Sequence, residues 1–157
     1  MGECHQKGLH YIFELLKKKG FNVTPKMNSK GTGINYLIVN TKNGGELKLR
    51  VRTRPEDQEG YILNERNQEN YDNTFFYIFV DSINKKDPDF WVIPSKIVAK
   101  SIKDAHDKWL VTPRFKNKKH NDNPIRVFKT FNDAYYPSNW KESLKKYYKH
   151  LDIITLN

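Results

Sequence analysis

Over residues 45–54 the chain alternates almost without a break. Leu47, Leu49, Val51 and Thr53 fall on one side, and Glu46, Lys48, Arg50, Arg52 and Arg54 on the other. A period of two is the strand period, so one face should be buried and the other charged. Four cations on one strand face repel one another. Solvent, carboxylates of a neighbouring element or a polyanion must offset that. The stretch by itself leaves two readings open, a solvated face and a surface that meets phosphate.

The rest of the chain is read in the same way. Leu9, Ile12, Phe13 and Leu16 recur at helical spacing and predict a helix over 4–19, with Lys17, Lys18 and Lys19 in its last turn and Gly20 as its stop. A short strand is predicted over 21–24, ended by Pro25. A second is predicted over 34–40, with Ile34, Tyr36 and Ile38 on one face and Asn35, Leu37 and Val39 on the other. Both of its faces are largely apolar, which suits an interior strand. Asn43-Gly44-Gly45 is a hairpin signal and returns the chain antiparallel into the basic strand.

Segment 55–71 is acidic and polar, with a weak strand over 61–63 and a short helix over 64–71. It follows the arginines directly, so it is placed to fold back and neutralise them. Residues 74–81 are apolar throughout and predict a buried strand; 90–93 predict another, stopped by Pro94. Ser95 is a natural N-cap for a helix whose stripe is Val98, Ile102, Ala105 and Trp109. Segment 111–123 has no apolar period. It carries Arg114, Lys116, Lys118, Lys119 and His120 around Phe115, a composition suited to phosphate contact plus stacking and equally to a solvated loop. A short strand or turn is predicted over 125–131. Asn139 with Glu142 reads as a capping box for a last helix, with Trp140, Leu144, Tyr147 and Leu151 as its stripe.

At 157 residues and 37% hydrophobic composition, the chain is expected to be a single domain over 1–157. Its Lys and Arg total 28 against 18 Asp and Glu, a net charge of +10, which points to an acidic partner, most commonly nucleic acid. Cys4 is the one cysteine, so an intrachain disulfide and a multi-cysteine zinc site are excluded. No apolar run approaches the roughly 20 residues of a membrane span. Gly2 is not followed by Ser or Thr at position 6, which rules against myristoylation. A cytoplasmic location and no membrane association are expected. The five histidines are scattered, no Ser or Cys sits in a nucleophile elbow, and Gly31-Thr32-Gly33 is too short for a phosphate loop.

The order helix, strand, hairpin, buried strand, strand, helix carries several short motifs. They are Gly20-Phe21-Asn22-Val23, Gly33-Ile34-Asn35-Tyr36-Leu37-Ile38-Val39, Arg50-Val51-Arg52-Thr53 and Phe90-Trp91-Val92-Ile93-Pro94. With these the chain resembles the PD-(D/E)xK, restriction-endonuclease-like superfamily of nucleases, at its small single-domain members. The resemblance covers about residues 5–110 as a nuclease-like core, and 111–157 stand outside it as a basic loop plus a C-terminal helix. It implies an α/β (α+β) fold with a central mixed sheet of four to five strands flanked by helices and an αβββαβ core. In that family an Asp and a Glu or Gln hold a divalent metal, and a Lys positions the attacking water. Here those positions are Asn35, Arg50 and Arg52. An uncharged amide, a cation that repels the metal and a guanidinium that scarcely deprotonates replace them. Glu46 lies on the face of Arg50 but four residues earlier, roughly 13 Å away at strand spacing. Glu14 and Glu3, on the first helix, are the other acids that would have to migrate.

The expectation is therefore a nucleic-acid-binding, catalytically inactive restriction-endonuclease-like domain. Its ligand would be gripped by Lys48, Arg50, Arg52, Arg54, Arg114, Lys116, Lys118 and Lys119, with DNA as the expected partner and no cofactor. One alternative is an active metal-dependent DNA nuclease with migrated ligands, which would need Mg²⁺. Another is a protein-interaction subunit of a restriction or defence system. Dimerisation of the chain with itself is compatible with each.

Overall fold

The computed structural model describes residues 2–69 and 72–155, with the side chains of all but Asn35 and Thr155. The fold is α+β. In chain order it runs α1 (Glu3–Lys18), β1 (Asn22–Met27), β2 (Ile34–Asn40), β3 (Glu46–Thr53), β4 (Tyr61–Asn64), a turn of 3-10 helix (Glu65–Glu69), β5 (Phe75–Asp81), β6 (Asp89–Pro94), α2 (Ser95–Val111), β7 (Ile125–Phe128) and α3 (Trp140–Ser143).

Five strands form a mixed sheet in the order β1-β2-β3-β5-β6, and β4 pairs with β7 in a separate ribbon. The β3–β5 pair is parallel; the others are antiparallel. The expected αβββαβ order is met through α1 and β1 to β3 but not beyond: the crossover to β5 carries β4 and a 3-10 turn where an α-helix was expected. The basic strand is the central one. Its register Leu37↔Leu49 and Val39↔Leu47 with β2 follows from the hairpin, whose loop closes through Thr41 and Gly45 and passes Gly44 at a positive φ of 82°.

Two apolar layers hold the sheet. On one face α1 sets Ile12 and Leu16 against Leu49, Val51, Ile78 and Val92. On the other, α2 and the β4–β7 ribbon pack Val98, Ile102 and Phe128 against Tyr77, Phe79 and Ile93. β5 meets both layers, which is why it reads as unbroken apolar sequence. Helix α1 comes so close to β3 that a Cβ on Gly8 would lie 1.8 Å from Thr53 Oγ1.

Several elements depart from the sequence reading. β1 continues through Pro25 to Met27, because it is an edge strand and a missing N–H on the open edge costs no ladder bond. The β1–β2 register slips between Lys26 and Met27, which pair with Tyr36 and Ile34, and leaves Asn35 as the extra residue of a bulge. Ile34 therefore packs on the α1 layer and Tyr36 on the opposite one, not on a common face. The Ser95 hydroxyl does not cap α2; it donates to the Asp72 carbonyl at 2.8 Å. No side-chain cap starts α3, which ends after one turn. Two 3-10 turns, Lys145–Tyr147 and Leu151–Thr155, continue it around Lys149, whose φ is +49°. Tertiary pairing overrides the helix there: Lys149 N–H bonds the Phe90 carbonyl at 2.9 Å, and Tyr148 bridges to Trp91. Of the predicted short helix, positions 70 and 71 lie outside the described residues.

Candidate nucleic-acid interface

Lys48, Arg50 and Arg52 of β3, and Arg54 directly after it, point to the face of α2 and the ribbon, yet tertiary structure treats each differently. Lys48 is exposed at the start of the strand. Arg50 is half-buried, and its guanidinium carbon lies 5.9 Å from the centre of the Tyr36 ring, a cation–π contact. Arg52 donates from Nη2 to the Ile62 carbonyl at 2.5 Å. Arg54 is consumed internally: Nη2 meets Asp81 Oδ2 at 2.6 Å, with side chains only 17% and 15% exposed, and Nη1 donates to the Gln58 carbonyl. The parallel register Thr53↔Val80 brings Arg54 to Asp81 one step further on.

Segment 55–69 does fold back on the arginines, but with carbonyls rather than carboxylates. Glu56 accepts instead from Asn84 at 3.3 Å, and Asp72 accepts from Thr74. Among the described residues neither Arg50 nor Arg52 is in an ion pair, although they are neighbours on one face. The electrostatics reflect that. Burial, and next the charge of Arg50, push the Arg52 guanidinium below its ordinary pKa. Burial lowers the His5 imidazole at the start of α1, and the charges of Arg52 and Arg50 lower it further. Burial raises the Tyr77 phenol against the pull of Arg50, and Asn67 Nδ2 donates to its oxygen at 3.1 Å. Arg50 and Arg52 thus concentrate positive charge without a carboxylate partner among the described residues.

The second basic cluster follows α2. Arg114 N–H bonds the Lys118 carbonyl and Asn117 N–H the Arg114 carbonyl, at 2.8 and 3.0 Å, closing a tight loop. Lys116 and Asn117 turn it in the left-handed region, at φ 60° and 57°, and Phe115 projects 86% exposed. Arg114, Lys116, Lys118 and Lys119 are all exposed. The loop's return is anchored: His120 stacks on Trp109 with centres 4.1 Å apart, and His106 Nε2 meets Asp122 Oδ1 at 2.8 Å. Among the described residues no hydrogen bond, ion pair or ring contact links this loop to β3.

Among the candidate acids, Glu46 is exposed at the first position of β3, opposite Asn40; Glu14 is exposed on α1; Glu3 pairs with Lys7 at 2.7 Å. Asn35 lies at the bulge, and its side chain is outside the described residues. No three His, Cys, Asp or Glu side chains among the described residues come together to hold a metal ion. No described helix is long and apolar enough to cross a membrane.

One solved structure is similar over most of its length. It is that of a bacterial homing endonuclease, I-Ssp6803I, 15% identical, with a TM-score of 0.42 over 93% of this chain and 94% of that one. No protein-family profile and no curated protein matches the sequence.

Sequence reasoning missed Tyr36, Asp81 and His5 as parts of this site. Asp81 had a signal, since it is the one charge ending an otherwise apolar strand. Tyr36 and His5 had none, because their relation to Arg50 depends on the β2 bulge and on where α1 lies.

Proposed function

We propose that this protein binds nucleic acid by its phosphate backbone, on a restriction-endonuclease-like frame whose metal-binding positions have become a cationic grip. Arg50 and Arg52 form the grip, Lys48 extends it along β3, and Arg114, Lys116, Lys118 and Lys119 form a second contact. Arg54 belongs to the fold instead. The observation that carries the reading is the half-buried Arg50–Arg52 pair with no carboxylate partner among the described residues. Two guanidiniums held side by side cost self-repulsion, and a phosphate that accepts from both relieves it. Backbone contacts carry no base information, so binding should be sequence-tolerant and should weaken steeply with salt.

The test is binding of labelled duplex and single-stranded DNA over a salt series, with and without Mg²⁺, scored for cleavage in the same samples. Salt-dependent binding with intact DNA is expected. Metal-dependent cleavage would refute the loss of catalysis, and absence of binding at low salt would refute the grip.

A further inference from the structure

A cleft of about 310 Å³ opens between α2 and β7, away from the arginines of β3. Its walls include Ile102, Trp109, Ile125, Val127, Tyr135 and Tyr136. That volume is at the low end for small-molecule sites, roughly 300–1,000 Å³, and suits one ring system rather than an extended ligand. Polar groups are few and placed at its border. Lys129 Nζ and Asp133 Oδ2 pair at 2.7 Å with side chains 16% and 18% exposed. Asn123 also lines the cleft; its Oδ1 accepts from Ile125 N–H at 2.9 Å, which leaves its amide NH₂ to a ligand. His106 spends Nε2 on Asp122 and turns its ring toward Trp109, centres 5.3 Å apart.

The surroundings choose the occupant. Trp109 is shared by the cleft and by the anchor of the basic loop, through its stack on His120. The loop that carries Arg114, Lys116, Lys118 and Lys119 thus leaves α2 just after Trp109 and returns to it at His120, so both of its ends adjoin one wall of the cleft. An apolar, aromatic-lined slot for one ring beside exposed cations is complementary to a ring that trails phosphates. A hydrophobic peptide side chain would use the slot but not the cations.

We infer that the α2–β7 cleft receives the base of an unpaired nucleotide, while the loop 112–123 holds the adjoining phosphates. This takes its ligand class from the phosphate-gripping reading and adds that the nucleic acid presents a base out of its stack, in a single strand or at a disrupted pair. Stacking is tolerant of base identity, so no one base is preferred.

The test uses the full chain and 2-aminopurine nucleoside 5′-monophosphate, whose fluorescence falls on stacking, with the Trp109 indole N–H followed by NMR in the same titration. Saturable quenching with a shift of the Trp109 signal is expected, together with at least about tenfold weaker binding in Tyr135→Ala. Lys26→Ala, exposed on the edge strand β1 and not part of the cleft wall, should bind the nucleotide unchanged. No saturation up to about 10 mM nucleotide overturns the inference. So does saturation that leaves the Trp109 signal and the Tyr135→Ala affinity unaltered, because the base then sits elsewhere. The wild-type readouts stand even if Tyr135→Ala fails to fold. Duplex binding with no nucleotide in the cleft defeats this inference alone; nucleotide in the cleft with no duplex binding defeats the β3 grip alone.

Discussion

Arg50 and Arg54 are the same residue type, four positions apart on one strand face, and they should respond oppositely to replacement by alanine. Arg50 makes no described hydrogen bond or ion pair within the protein, and its contact is the Tyr36 ring. Arg50→Ala therefore removes about 0.5–1 kcal/mol of cation–π interaction and leaves the fold intact. If Arg50 neutralises one phosphate, its loss flattens the slope of log affinity against log salt by about 0.9. Over a fourfold rise in salt, from about 50 to 200 mM, the variant then loses affinity by a factor about 3.5 smaller than the wild type. Removing Arg52 as well doubles the change in slope to about 1.8, a factor of about 12 over the same range. Arg54→Ala leaves Asp81, 15% exposed, without its partner. Breaking such a pair costs on the order of 3 kcal/mol. At about 2–4 °C per kcal/mol for a chain of this size, the melting midpoint falls by about 6–12 °C, with the salt slope unchanged. Fluorescence anisotropy of a labelled duplex against salt, with thermal melts of the same samples, reads both. An unaltered slope in the Arg50→Ala, Arg52→Ala double variant would refute the assignment of the grip. A flattened slope in folded Arg54→Ala would refute its assignment to the fold.

Other positions give independent checks. Phe115→Ala removes an 86% exposed ring and should leave the melting midpoint in place, yet weaken single-stranded DNA by about 1–3 kcal/mol if the ring stacks on a base, with duplex less affected; equal affinity in the variant would return Phe115 to a passive loop tip. Gly8→Ala should destabilise, because the new Cβ would sit 1.8 Å from Thr53 Oγ1 and 2.9 Å from its Cβ; an overpacking cost of about 1–3 kcal/mol outweighs the roughly 1 kcal/mol gained in helix propensity, and an unchanged urea midpoint would contradict it. Burial raises the Asp133 carboxyl, but the bonds from Lys129 and the Tyr135 N–H more than offset this and hold it below its ordinary pKa. A lowered carboxylate pKa adds stability above the unfolded value, about 3.9, and that stability disappears as pH falls through the folded value. Urea midpoints of wild type and Asp133→Asn should therefore differ above about pH 4 and converge in stronger acid; a constant gap across this range would show that the carboxylate charge is not involved.

Much of the fold was legible because local periodicity carries it. The helical stripe of α1, the alternation of β3, the glycine turn before it and the apolar run of β5 each declare an element through side-chain spacing alone. β2 begins and ends where its pattern does. The last helix was misread because its stripe is helical, while pairing of the chain with β6 near Tyr148 and Lys149 stops it. The β4–β7 ribbon joins Tyr61 to Phe128, a pairing that no local spacing announces.

The candidate site divides along the same line. Sequence by itself determined that Lys48, Arg50, Arg52 and Arg54 share one strand face, since alternation follows from strand geometry. Only the tertiary structure decided what becomes of their charges. The parallel pairing of β3 with β5 gives Arg54 a carboxylate; the return of segment 55–69 gives Arg52 a carbonyl; the bulge in β2 gives Arg50 an aromatic ring and no counter-ion. Charge compensation is a contact between residues far apart in the chain, at distances that register and packing set. A strand's own sequence can say that its cations are together, and only the fold can say which of them remain available to a ligand.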